Sequence, residues 1–153
     1  ASFYTEKNQF LFKTEDTTLT SRLIEGSFQD YEAIIPKEID TEVLVSRNEL
    51  SQALKLSGAF ASRTHDVRLK LKDKKVLEIY SSDNAVGENN YLIPAKINGP
   101  ETEAVFNWRY LLDGLKGGST EQVFLGLNGS ERPAVIKNPE DESYLYILMP
   151  IKA

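Results

Sequence analysis

Residues 107–118, NWRYLLDGLKGG, place leucines and a small residue at helical spacing and stop at a pair of glycines, which predicts a short amphipathic helix capped by Gly117. An earlier stretch, residues 47–62, RNELSQALKLSGAFAS, carries Leu50, Leu54 and Ala61 at the same spacing, with Ala53 and Phe60 widening the apolar stripe. Laid over one another, the two stretches put Leu50 on Leu111, Ala53 on Gly114, Leu54 on Leu115 and Lys55 on Lys116. What matches is packing residues plus one basic residue. The small residue in each helix allows a close approach to the other helix or to a sheet.

The same duplication extends outward from both helices. A strand over Thr41–Ser46 precedes the first, and strands over Val67–Leu71, Val76–Ile79 and Tyr91–Ile93 follow it, the last ending before Pro94. Glu103–Phe106 precedes the second helix, and Val123–Leu127, Ala134–Lys137 and Tyr144–Met149 follow it, joined by Asn128-Gly129 and by an acidic loop over Asn138–Ser143. Two strand-helix-strand-strand-strand units in tandem predict an α+β protein. Its two small antiparallel sheets are related by a pseudo-twofold, with both helices packed on one side. Upstream, Phe3, Phe10, Phe12, Leu19 and Leu23, with turns at Lys7-Asn8 and Glu15-Asp16, predict a three-stranded meander. Ser27–Lys37 then reads as a connector between domains, with an apolar stretch at Ile34 and Ile35 that Pro36 ends.

Composition narrows the function. The 153 residues are 41% hydrophobic and 27% charged, the balance of an ordinary globular chain. No cysteine and one histidine exclude disulfides, thiolate metal sites and polyhistidine sites; His65 is expected on a surface loop. No phosphate-binding glycine loop or dinucleotide fingerprint occurs, so no catalytic residue, metal ligand or cofactor is expected. Glu140, Asp141 and Glu142 read as a solvated hairpin loop, and the Asn128-Gly129-Ser130 sequon as a turn. The chain opens at Ala1 already in strand-like sequence, which reads as a piece of a longer protein.

A net charge of −5 confines any nucleic-acid contact to a local patch. Lys55 and Lys116, with Arg47 and Arg109 nearby, supply one if both helices face the same way. Such a patch holds phosphates without reading sequence.

Three motifs resemble one family, the bacterial DNA sliding clamps (β subunit of DNA polymerase III). Residues 21–36, SRLIEGSFQDYEAIIP, are similar to its interdomain linker; residues 106–116, FNWRYLLDGLK, to the second helix of its last domain; and residues 144–153, YLYILMPIKA, to its carboxy-terminal end. The resemblance implies the DNA clamp fold, with residues 1–37 as the last strands of the middle domain plus linker and 38–153 as the third domain. It implies a homodimeric ring around duplex DNA, helices inward, in the cytoplasm at the nucleoid.

It also implies a pocket for short hydrophobic peptides of DNA polymerases, the clamp loader and repair proteins, formed here by Gln29, Ala33, Ile34, Ile147, Leu148, Met149, Pro150, Ile151 and Lys152. Gln29 replaces the family's usual proline, and Ala33 an arginine found in some members. The ring interface maps to Ala59 and Phe60 with the edge strand from Gly87 and Glu88 to Ile93, although Phe60 equally suits a core. Without a first domain this chain is expected to be monomeric. Two other readings stay open at this level: a stand-alone repeat module that binds a small ligand or a protein, and an enzyme whose site the sequence does not display.

Overall fold

The structure, a computed structural model, describes residues 1–140 and 142–152. Asp141, the middle acid of the expected hairpin loop, lies outside the described residues. The chain forms two compact units, Ala1–Tyr31 and Glu32–Ala153.

The first unit is the expected meander: β1 (Ser2–Glu6), β2 (Gln9–Lys13) and β3 (Thr18–Arg22), each antiparallel to the next. Phe3 stacks against Phe10 and Phe12 at ring distances of 5.8 and 5.1 Å, which gives one face an aromatic cluster.

The second unit opens with a 3-10 turn at Glu32–Ile34 and then builds the repeat twice. The first copy is β4 (Thr41–Ser46), α1 (Arg47–Gly58), β5 (Asp66–Leu71), β6 (Val76–Asp83) and β7 (Gly87–Asn98). The second is β8 (Thr102–Asn107), α2 (Trp108–Lys116), β9 (Gln122–Leu127), β10 (Ala134–Lys137) and β11 (Leu145–Leu148). Strand order is β11-β10-β9-β4-β7-β6-β5-β8, so the two expected sheets are joined through β4 and β7 into one eight-stranded array.

Register shows how closely the copies agree. β4 pairs with β9 so that Ser46 faces Gln122 and Thr41 faces Leu127. β8 pairs with β5 so that Asn107 faces Asp66 and Thr102 faces Leu71. The first helical N–H is held the same way in each, Arg47 donating to the Glu121 carbonyl and Trp108 to the His65 carbonyl, both at 3.0 Å. Ser46 and Asn107 are the N-caps, accepting from the backbone N–H groups of Glu49 and Arg109.

β7 changes partner midway: Gly87–Pro94 run beside β6 and Ala95–Asn98 beside β4. Pro94 therefore does not end the strand as expected, because it sits at the changeover, where a missing donor disrupts neither ladder. The second copy repeats the manoeuvre in shortened form: β11 pairs with β10, and beyond it the Ile151 N–H reaches the Val105 carbonyl of β8 at 2.7 Å.

Both helices bury their apolar stripes in a single core: Leu50, Ala53 and Leu54 from α1, Leu111 and Leu115 from α2, with Phe106, Leu69, Leu77, Ile79 and Leu125 from the strands. The helices touch each other. Gly114 is the small residue that admits the sheet, since a Cβ there would come within 2.6 Å of Tyr146 and 2.8 Å of Ile136.

Two expectations need correcting. α1 ends at Gly58, not Ser62, and the Ala59, Phe60 and Ala61 N–H groups turn back to the carbonyls of Leu56, Ser57 and Gly58 in a tightened last turn. The Trp108 ring packs against Gly58 at this point, 2.6 to 2.9 Å from where a Cβ would be, and Ala61 lies beyond the helical stripe. His65 is in a loop as expected, but it is half buried at a left-handed φ of 58°, its ring edge-on to Trp108.

Candidate functional site

Lys55 and Lys116 occupy equivalent positions near the ends of the touching helices, and both are exposed. Lys116 shares its charge with Asp113, one helical turn back, at 2.7 Å. Arg109 is exposed, with its guanidinium 5.3 Å from the Trp108 ring centre. Arg47 is half buried and its Nε donates to the Thr120 carbonyl at 2.7 Å, so one of its N–H groups holds α1 to the loop before β9. Each helix carries two basic residues and one acid, Glu49 or Asp113, a mildly cationic pair on an acidic chain.

Just beyond the carboxy-terminal end of α1, Ala59 is exposed and Phe60 half buried, while Gly87 and Glu88 are exposed at the start of β7. The two segments are tied together. The Ser57 hydroxyl donates to Asn89 at 3.0 Å, and the Ser81 hydroxyl to the Ser57 carbonyl at 2.7 Å. Glu88 itself accepts from the Tyr80 hydroxyl at 3.0 Å.

The residues expected to hold a peptide divide by burial. Gln29 belongs to the first unit and is exposed. In the second unit, Ala33 and Ile34 are exposed in the 3-10 turn, Ile147 is half buried opposite Val135, and Leu148 is buried opposite Ala134. Met149 is 55% exposed, Pro150 buried, Ile151 half buried and Lys152 exposed. Leu148 and Pro150 thus fix the strand and its tail, and Met149 is the apolar side chain left on the surface.

A groove of about 400 Å³ runs between residues 35–39 and the last two strands, lined chiefly by Ile35, Pro36, Ile39, Val135, Tyr144 and Leu145. The sequence reading missed these residues. The signal was present in the apolar pair Ile34-Ile35, but which member turns inward depends on register. A smaller depression of about 270 Å³ takes in Ile151 and Lys152 beside Val105, Glu103 and Arg68.

Burial raises the Tyr144 hydroxyl's pKa, and Tyr146 beside it raises it further. Tyr146 is raised by burial, then by the Asp113 carboxylate and Tyr110. The Tyr144 hydroxyl donates to the Gly114 carbonyl at 2.7 Å, which fastens the start of β11 to α2. Among the described residues no group of three or more His, Cys, Asp or Glu side chains is placed to hold a metal ion, and no helix is long and apolar enough to cross a membrane.

A model of the family described as DNA polymerase III beta subunit, C-terminal domain, matches residues 32–152. The chain belongs to this family. Curated relatives include the beta sliding clamp of Bacillus subtilis, 30% identical over 95% of this chain and 39% of the relative, and that of Synechococcus elongatus, 32% identical over 99% and 41%. Among solved structures, a DNA polymerase sliding clamp from Pseudomonas aeruginosa superposes with a TM-score of 0.87 at 28% identity, covering 99% of this chain and 41% of the other. The Thermotoga maritima DNA polymerase III beta subunit gives 0.86 at 28% identity, with the same coverage. The chain spans about two fifths of the length of the clamps it matches.

Proposed function

We propose that this chain is the carboxy-terminal part of a DNA sliding clamp, a polymerase processivity factor that is not an enzyme. Residues 1–37 are the end of a middle domain and its linker, and 38–153 are the third domain. The carrying observation is the pair of touching helices with Lys55 and Lys116 at equivalent exposed positions, supported by family membership. A cationic wall without base-reading side chains suits sequence-independent contact with duplex DNA, because phosphate contacts position a protein without specifying sequence.

The rest of the reading follows the relatives. Two full-length subunits close a ring, with Ala59, Phe60, Gly87 and Glu88 on the third-domain side of the joint, and the protein works in the cytoplasm at the nucleoid. This chain alone is a monomer. DNA polymerases, clamp loader and repair proteins dock short hydrophobic peptides beside the tail, where Met149 offers apolar surface and residues 35–39 flank a groove. A related clamp from Pseudomonas aeruginosa has been solved bound to griselimycin, which supports a ligand-binding surface in the family.

Burying two apolar side chains of a peptide gains about 3–6 kcal/mol gross, and ordering the peptide offsets much of it. Capture is therefore weak and exchangeable, as a platform shared by competing partners requires. Titration of a hydrophobic polymerase-derived peptide tests this: binding to this chain is weaker than to a full-length subunit, and Met149→Glu abolishes it. Met149 is the better probe, since Leu148→Ala would unfold β11 under any reading. Equal affinity for chain and subunit, or indifference to Met149→Glu, contradicts the proposal.

A further inference from the structure

We propose that the sheet face turned away from the helices carries a second docking site, for an extended acidic peptide segment with acids at positions i and i+4 and an apolar side chain at i+2. Alternation along the strands puts Val43 and Val45 of β4, and Val123 and Leu125 of β9, into the core, so Leu44 and Phe124 face the other way. Register then aligns four residues from four neighbouring strands in one row. Lys96 of β7 faces Leu44 of β4, Leu44 faces Phe124 of β9, and Phe124 faces Lys137 of β10. The row lines a depression of about 440 Å³.

Its chemistry is an apolar floor with a lysine at each end. The Lys137 ammonium lies 4.5 Å from the Phe124 ring centre, and neither lysine is in an ion pair among the described residues. Two acids lie near: Glu42, which lines the depression and whose carboxylate accepts from the Asn98 amide at 3.2 Å, and Glu142, which lines the adjoining groove with Lys137.

The duplicated fold supplies its own control. On the matching face of the other half, Arg68 stands where Phe124 stands and Tyr80 where Lys137 stands, by the same register. There the cations are held in ion pairs: Arg68 pairs with Glu103 at 2.8 Å, and Glu78 lies 3.7 and 3.3 Å from Lys70 and Lys72. In one half of the sheet the cations are engaged by neighbouring carboxylates, and in the other, among the described residues, the two lysines flanking the apolar patch are in no ion pair.

The spacing defines the occupant. Three strand separations set the lysine backbones roughly 14 Å apart, and an extended segment covers about 13 Å in four residues with i, i+2 and i+4 on one face. A segment lying across the strands thus offers an acid to Lys96, an apolar side chain to Leu44 and Phe124, and an acid to Lys137.

Amide shift mapping on this chain with a synthetic peptide bearing glutamates at i and i+4 around a leucine at i+2 tests the site. The expected result is shifts at Leu44, Lys96, Phe124 and Lys137, at least tenfold weaker binding in Lys96→Glu/Lys137→Glu and in Lys96→Ala/Lys137→Ala, and unchanged binding in Met149→Glu. Moving one glutamate to i+3, on the opposite face of the segment, weakens binding severalfold. Equal binding of a lysine-for-glutamate peptide, shifts centred on Met149, or tighter occupation of the row by a single-stranded oligonucleotide overturns the proposal.

Discussion

The indole of Trp108, at the start of α2, closes over Gly58, the last residue of α1, so tightly that a Cβ on Gly58 would fall 2.6 Å from Cε2 of the ring. This contact joins the two repeats at the end of α1. Gly58→Ala is expected to destabilise the chain by about 1–3 kcal/mol through overpacking, and the penalty shrinks when Trp108 is replaced by leucine. Denaturant unfolding of the single variants and the double variant measures the coupling, with loss of the one tryptophan's fluorescence as the probe where it is present.

Tyr144 ties β11 to α2 through the Gly114 carbonyl, and its ring fills the space beside Gly117, where a Cβ would collide with it. Tyr144→Phe should cost about 0.5–1.5 kcal/mol at neutral pH. Because burial and Tyr146 raise the Tyr144 pKa in the fold, its contribution is complete below the unfolded value of about 10 and is lost as pH rises through the folded value. The Tm gap between wild type and Tyr144→Phe therefore narrows above about pH 10; a constant gap contradicts this.

Asp66 behaves in the opposite sense. Partial burial raises its pKa, but the hydroxyls of Ser62 and Thr64, a backbone N–H and the Arg68 guanidinium outweigh that and hold the carboxyl below its ordinary value. Its stabilisation is present above the unfolded pKa of about 3.9 and disappears as pH falls through the lower folded value. Asp66→Asn should thus lower Tm at neutral pH, and the difference should close on acidification below about pH 4. Thermal melts across that range check it.

The repeat was legible because the helices and the strands before them share one sequence offset, which carries Leu50, Ala53 and Leu54 onto Leu111, Gly114 and Leu115, all buried. The end of α1 was not legible: Ala59, Phe60 and Ala61 continue an apolar pattern, and the Trp108 ring that packs against Gly58 there is distant in sequence. The full length of β7 was hidden for a similar reason, since Pro94 ends a strand unless its partner changes there.

The site was read unevenly. The exposed lysines followed from the repeat alone, whereas the groove lining did not, because which of Ile34 and Ile35 faces it is set by the 3-10 turn at Glu32–Ile34, which the sequence pattern does not show. Arg47 was expected to face DNA; its further bond to the Thr120 carbonyl depends on a loop whose course the sequence does not give.

The most direct test of the central claim is amide shift mapping of this chain with a short duplex DNA of arbitrary sequence at low salt. The account predicts perturbations at Lys55, Arg109, Lys116 and their neighbours on α1 and α2, insensitive to DNA sequence, fading as salt rises and lost in Lys55→Glu/Lys116→Glu. Perturbations confined to the sheet strands, or binding that survives both high salt and the double charge reversal, would contradict it.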